Sequence, residues 1–106
     1  MIKAVMYWNR MRLEVSGHAN TAPKGQDLVC AAASMMTAAL AGTLEDAEKR
    51  GRTTAGYEDK NGTVTIWADP IMGSLNEIKS YYRMAVKGLK ILQEEYPKNV
   101  EIKEVN

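Results

Sequence analysis

The sequence predicts an α+β domain in which two helices pack on a mostly antiparallel sheet, with the elements in the order β-β-α-β-β-α-β. Two pairs of β-prone runs are each followed by a long helix-like segment, and one more β-prone run follows the second of these segments. The 106 residues are 45% hydrophobic and 25% charged, which is typical of one globular domain. We therefore expect a single domain over 1–106 with one hydrophobic core.

The first hairpin is predicted from two short runs near the start of the chain. The run Ile2 to Trp8 is apolar and β-prone, and the run Met11 to Ser16 alternates apolar with polar residues. Asn9-Arg10 lies between the two runs and predicts a tight turn. The alternation indicates that one face of the second strand is buried.

The first helix is predicted to begin at an N-cap, Asp27, and to end near Lys49. Between 28 and 44 the chain has no charged residue, so we expect burial on more than one side, against the second helix or a subunit partner. The same run is too rich in small and polar residues to supply the ~20 strongly apolar residues of a membrane-crossing helix. Its predicted buried stripe has helical spacing and consists of Val29, Ala32, Met36, Leu40 and Leu44.

The second half of the chain repeats this pattern of hairpin and helix. Strands are predicted over Arg52 to Glu58 and Thr63 to Ala68, and Asn61-Gly62 between them is a strong hairpin-turn signal. A helix from about Ser74 to Tyr96 follows, since apolar residues recur there at alternating spacings of three and four. A last short strand is predicted over 100–105.

Composition excludes several classes of function and structure. The net charge of +1 argues against a general nucleic-acid binder that neutralises phosphates. One cysteine cannot form an internal disulfide, and the start of the chain has no export signal, so we expect a cytoplasmic protein. We expect no metal or other cofactor, because one Cys, one His and a nearby Asp are too few for a closed zinc site.

The one cysteine, Cys30, and the one histidine, His18, are the candidates for chemistry. With Asp27 as N-cap, Cys30 lies in the first helical turn, where free N–H groups and the helix dipole favour a thiolate. The dipole alone contributes roughly 0.3–1 kcal/mol, less than one pKa unit, so a free thiol near pKa 8.5 stays mostly protonated. His18, at the end of the second strand, is the only imidazole that can take the thiol proton and return it to a leaving group.

Two other classes of function remain open on these residues. A lone cysteine inside a cell is most often a small buried hydrophobe, which favours a non-catalytic interaction module with an inert Cys30. A thiol-based redox regulator is the other alternative, and the absence of a second, resolving cysteine weakens it.

A motif surrounds the two reactive residues. Gly17-His18-Ala19, Gly25, Asp27, Val29-Cys30-Ala31-Ala32 and Ser34 together resemble the signature of the ribosomal-processing cysteine protease family (Prp). The resemblance implies a cytoplasmic, dimeric cysteine endopeptidase that trims a short N-terminal extension from a large-subunit ribosomal protein. Relatives encoded by phages are thought to process phage structural proteins in a similar way.

The resemblance also implies roles for individual residues. Cys30 matches the nucleophile and His18 the base, and Asp27 matches the motif aspartate near them; by position Asp27 is both an N-cap and a candidate orienter of the imidazole. The polar segment Ala19 to Gln26 is expected to cover the bound peptide as a lid. The residues expected to contact or make room for the substrate are Gly17, Ala19, Gly25, Ala31 and Ser34.

Overall fold

The seven predicted elements form in the predicted order. The computed structural model describes residues 1–17 and 24–106, with side chains described outside 24–27. The elements are β1 (Ile2–Tyr7), a 3₁₀ turn (Trp8–Arg10), β2 (Arg12–Ser16), α1 (Lys24–Lys49), β3 (Thr53–Lys60), β4 (Thr63–Pro70), α2 (Leu75–Glu95) and β5 (Val100–Val105).

The five strands form one mixed sheet in the spatial order β3-β4-β2-β1-β5. Three of the four strand pairs are antiparallel, and only β1 and β5 run parallel. A parallel strand must be reached by a crossover connection, and α2 provides that connection before β5. The prediction of an α+β domain with a mostly antiparallel sheet is therefore confirmed.

One face of the sheet carries the core. Alternate residues of each strand point to the same face, and the registers align Ala4 with Val15 and Leu13 with Ile66 on that inner face. Both helices cover it, and Tyr82 of α2 is fully buried there, its hydroxyl donating to the Ile66 carbonyl oxygen at 3.2 Å. Burial raises the pKa of Tyr82, so this hydroxyl stays a donor over the whole physiological range.

The first hairpin differs from the predicted two-residue turn. Tyr7 pairs with Arg12, which leaves a four-residue connection made of the 3₁₀ turn and Met11. Met11 adopts a left-handed conformation with φ 45°, and its side chain is buried. A two-residue type I′ turn needs positive φ at both central residues, and Asn9 and Arg10 do not have it. The second hairpin has that geometry, at Asn61 (φ 54°) and Gly62 (φ 77°).

α1 begins four residues earlier than predicted, since an N-cap at Asp27 makes residue 28 the first of the helix. It starts at Lys24, so Asp27 lies inside the helix and the prediction that Asp27 is the N-cap is wrong. The segment 24–26 looks like loop because of its glycine and polar residues. A glycine costs only about 1 kcal/mol relative to alanine inside a helix, which is too little to stop a helix that continues for many residues.

Only one side of α1 is buried within the chain. Ala32 and Met36 of the predicted stripe are half-buried. A second face of the helix was also expected to be buried, but it is exposed apolar surface that includes Leu28 and Met35. By length and composition alone, Leu28–Lys49 meets the requirement for a membrane-crossing helix, contrary to the expectation above. Within the described chain one face of the helix packs on the sheet and on α2; the buried residues of that face are Val29, Ala33, Thr37, Leu40, Leu44 and Ala47.

A carboxylate at the start of α2 joins this helix to the connection between α1 and β3. Glu77 accepts hydrogen bonds from Arg50 Nη2 at 2.8 Å, Arg52 Nε at 2.9 Å and the Tyr81 hydroxyl at 2.5 Å. These hydrogen bonds lower the pKa of Glu77 from an ordinary 4.5 to about 2, and the bond from Tyr81 has the largest effect. The ionised form is therefore the one that the folded state stabilises.

We expect Glu77→Gln to lower the free energy of unfolding at pH 7. Because the folded pKa is depressed, the contribution of Glu77 is present above about pH 4.5 and is lost as the pH falls towards about 2. Urea melts at several pH values will show the wild-type advantage shrinking over that window. Glu94→Gln, an exposed position on the same helix, is the control and should have little effect at any pH.

The outer face of the sheet contains one close contact that depends on glycine. A Cβ at Gly56 of β3 would lie 2.1 Å from the Trp67 ring on β4, so the indole lies across the bare backbone of its neighbour. A Cβ added at Gly42 of α1, by contrast, would have no other heavy atom within 4 Å.

The substitution Gly56→Ala should therefore cost stability, by about 1–3 kcal/mol, since the indole must move from its place on the sheet. Gly42→Ala should instead stabilise by up to about 1 kcal/mol, because alanine is the better helix former and fits without contact. Thermal melts of the two variants are the measurement. Equal and small effects at both positions would mean that Trp67 moves aside freely.

Candidate active site

Cys30 lies in the second turn of α1 and is partly buried against the core. The helix start at Lys24 makes Cys30 its seventh residue, whereas an N-cap at Asp27 would have placed it in the first turn. The N–H groups that lack intrahelical acceptors belong to the first four residues, 24–27. The dipole effect falls off within the first turn, so the helix end favours a thiolate less than the sequence predicted.

Gly17 fixes the direction in which the chain leaves β2 towards His18. It has φ +90°, and a Cβ there would lie 2.0 Å from the Met1 carbonyl oxygen. Any other residue would be strained by this conformation and would collide with backbone. The structure thus provides a structural reason for this motif glycine; its expected contact with substrate stays a prediction.

The other motif residues divide between the described and undescribed parts of the chain. His18 and Ala19 lie outside the described residues, and so does most of the expected lid over 19–26. Gly25 and Asp27 are in the first turn of α1, one turn before Cys30, and their side chains are not described. Pairing of Cys30 with His18, and any contact of Asp27 with the imidazole, therefore stay predictions.

Ala31 and Ser34 are both exposed on α1. Ser34 lies one turn after Cys30, as predicted from the spacing, and its side chain opens on a cleft of about 610 Å³. The exposed position of Ala31 leaves it accessible to a ligand on the outside of the helix. Of the predicted substrate-binding residues with described side chains, Ser34 is the one that lines a cavity.

The cleft lies between α1 and the inner face of β3 and β4. Its floor is apolar, with Ala55 on β3 and Val64 and Ile66 on β4, and its walls include carboxylates from both elements. The cleft is open to solvent, and Tyr57 is 54% exposed although it belongs to the inner face. The lining residues are Ser34, Thr37, Ala38, Ala41, Gly42, Leu44, Glu45, Glu48, Ala55, Gly56, Tyr57, Asp59, Val64 and Ile66.

Cys30 belongs to the stripe of α1 that faces this cleft. The cleft-lining residues Ser34, Thr37, Ala41, Glu45 and Glu48 follow one another at spacings of three and four. Position 30 continues that spacing by one more turn towards the helix start. Cys30 itself is packed partly against the core, one helical turn before Ser34, the first residue of α1 that lines the cleft.

The cleft was not predicted from the sequence. The alternation of Ala55, Tyr57 and Asp59 along β3 is its only local signal, because it predicts a strand face that changes from apolar to polar. Among the side chains of residues 1–17 and 28–106, no group of three or more His, Cys, Asp or Glu is placed to hold a metal ion.

Solved structures of similar fold include three from two bacteria. The ribosomal processing protease Prp from Staphylococcus aureus with a substrate peptide has TM-score 0.78 at 18% identity, covering 98% of this chain and 99% of that chain. The same protein with a covalently linked product peptide has TM-score 0.71 at 21% identity, covering 98% and 99%. The protein SMU.848 from Streptococcus mutans has TM-score 0.73 at 22% identity, covering 98% and 95%.

At these identities the structures establish the fold, and the sequence comparison establishes the family. A comparison with curated proteins gives no significant match. A family model described as cysteine protease Prp matches residues 1–101, nearly the whole chain. Because this match spans nearly all of the chain, the chain belongs to the cysteine protease Prp family.

Proposed function

We propose that this cysteine protease removes a short N-terminal extension from a large-subunit ribosomal protein, or from a phage structural protein if the chain is phage-encoded. The observation that carries the proposal is the open cleft in line with Cys30 on α1. Its volume of about 610 Å³ falls within the range of ligand pockets, about 300–1,000 Å³. The Staphylococcus aureus structures, described as a ribosomal processing protease with substrate and product peptides, supply the class of substrate.

The proposed mechanism uses Cys30 and His18. The imidazole takes the thiol proton, and the thiolate attacks the scissile carbonyl to form a tetrahedral oxyanion. Collapse of this intermediate breaks the peptide bond as the imidazolium protonates the leaving amine, which leaves a thioester on Cys30. Water, deprotonated by the same imidazole, then hydrolyses the thioester and restores the thiol.

The first turn of α1 has a place in this scheme. Its free N–H groups, at 24–27, lie about one turn from Cys30 and are the nearest helical donors for the oxyanion. In this arrangement Asp27 orients the His18 imidazole, as its position in the motif implies. Because the dipole acts weakly on a second-turn cysteine, the imidazole is the main source of thiolate stabilisation in the proposed site.

The exposed face of α1 supports the homodimer that we also propose, in the cytoplasm. Leu28 is 70% exposed and Met35 is 67% exposed, and small residues lie between them and beyond them on the same side of the helix. Charge is absent from 28–44, so the face offers a continuous apolar surface of the kind that subunit interfaces bury. A second copy of the chain would restore the second buried side that the sequence predicts.

Replacing Cys30 with alanine should abolish cleavage and leave the fold intact, since the side chain is only partly buried. His18→Ala should lower kcat/KM by about 10²–10⁴-fold, the usual contribution of a general acid–base. The assay is mass spectrometry of the N-termini of ribosomal and capsid proteins from the same genome after incubation with each variant. Circular dichroism checks that both variants fold.

Undiminished processing by the Cys30→Ala variant would overturn the proposed mechanism. The rate of thiol alkylation against pH separates it from the inert-cysteine alternative. A thiolate stabilised by His18 reacts at pH 6, and the His18→Ala variant should lose that reactivity. Reversible oxidation of Cys30 without any proteolysis would favour the redox alternative.

For the homodimer, we expect light scattering to give twice the mass of one chain. Met35→Glu should shift the mass towards that of one chain, because it places a charge in the apolar face. Met72→Glu is the matched control, since Met72 is 99% exposed in the connection before α2 and lies outside that face. A single-chain mass for the unchanged protein would contradict the dimer.

A further inference from the structure

The edge of the sheet beside the cleft carries free backbone groups. β3 is the terminal strand and pairs only with β4 among the described strands. The Ala55 N–H donates to Glu48 Oε2 at 3.1 Å, so it points away from β4. Backbone groups alternate in an antiparallel ladder, and Tyr57 and Asp59 therefore present their N–H and C=O groups to the same open edge. In the described part of the chain no backbone group pairs with them.

An extended peptide is the ligand that such an edge fits. Addition of a strand to a sheet edge supplies main-chain hydrogen bonds, and alternate side chains of the added strand enter pockets on one face. On this protein the helix-side pocket is the cleft, with its apolar floor of Ala55, Val64 and Ile66 beneath the wall of α1. An added strand would bury the exposed ring of Tyr57, which the fold leaves open.

The charges around the cleft indicate which side chains the peptide carries. The lining contains three carboxylates, Glu45, Glu48 and Asp59, and no lysine or arginine. Glu45 pairs with Lys49 at 3.3 Å, and Glu48 accepts the Ala55 N–H. Asp59 forms no salt bridge with the side chains of residues 1–17 and 28–106. A cationic side chain of the peptide would complement the negative charge of these carboxylates.

The cleft joins the end of α1 to β3. Glu48, near the end of α1, accepts the N–H of Ala55, near the start of β3, so these two ends meet at the open edge. Asp59 lies further along the same edge, roughly 14 Å of extended strand from Ala55. Both residues line the cleft, so a peptide paired with this edge would pass Asp59 as well as the apolar floor.

We propose that the substrate binds as an added strand on the open edge of β3, with an apolar side chain over the cleft floor and a lysine or arginine against Asp59. The inference rests on the proposed function, for which it specifies the substrate sequence. Asp59 acts as a specificity residue and takes no part in bond breaking. The strand pairing is independent of side chains, and the charge preference selects among peptides.

The experiment measures peptide binding without cleavage. The Cys30→Ala variant, folded as checked above, is incubated with a library of acetylated dodecapeptides, and bound peptides are sequenced. We expect enrichment of lysine and arginine next to apolar residues. Asp59→Lys in the same background should reverse the charge preference towards aspartate and glutamate and weaken the originally selected peptides about 2–10-fold. Glu58→Lys is the matched control, because Glu58 is the adjacent residue on the opposite face of β3 and should change nothing.

N-methylation of a selected peptide tests the strand pairing. Methyl groups at every second backbone nitrogen should weaken binding about 2–10-fold, and those at the intervening nitrogens should not, since only alternate N–H groups face the edge. Two results would overturn this inference. One is that methylation weakens binding equally at both sets of nitrogens, and the other is that the Asp59→Lys and Glu58→Lys variants show the same charge preference. Cleavage by the unmodified enzyme is measured separately, so that the strand proposal can fail while the protease function stands, and the reverse.

Discussion

The packing of α1 on the inner face of the sheet is the contact on which the site depends. Small and medium-sized buried side chains, from Val29 to Ala47, allow the helix to lie directly on the strands. The helix packs on β3 and β4 at one side of the sheet and leaves Tyr57 of β3 exposed. One face of α1 therefore closes the core, and the neighbouring face forms a wall of the cleft. Cys30 lies between these two faces of the helix.

This position has consequences for the chemistry of the thiol. A cysteine in the first turn would gain from free N–H groups and from the dipole, whereas Cys30 lies a turn further along. In the proposed mechanism the two tasks are then divided between different parts of the chain. We propose that the His18 imidazole stabilises the thiolate and that the first turn of α1 receives the oxyanion.

The floor and far end of the cleft are held by contacts outside the helix. Glu77 joins α2 to Arg50 and Arg52, where the chain passes from α1 into β3. Trp67 lies on Gly56 on the opposite face of the two strands that form the floor. A rigid edge strand pairs with a peptide at a smaller cost in entropy than a mobile one. These contacts thus hold β3 in place for binding, although Glu77 and Trp67 lie outside the cleft.

The order of elements, the Asn61-Gly62 turn and the spacing of Cys30 and Ser34 follow from the sequence alone, because periodicity and turn residues are local signals. The helix start at Lys24 and the first hairpin turn could not be predicted from the sequence. Gly25 in a helix and Met11 in a left-handed conformation each cost little conformational free energy, and packing outweighs that cost. The cleft and the free edge of β3 were decided only by the tertiary structure. They depend on which strand ends the sheet and on how far a helix covers it, and these relations join residues distant in sequence that no local pattern records.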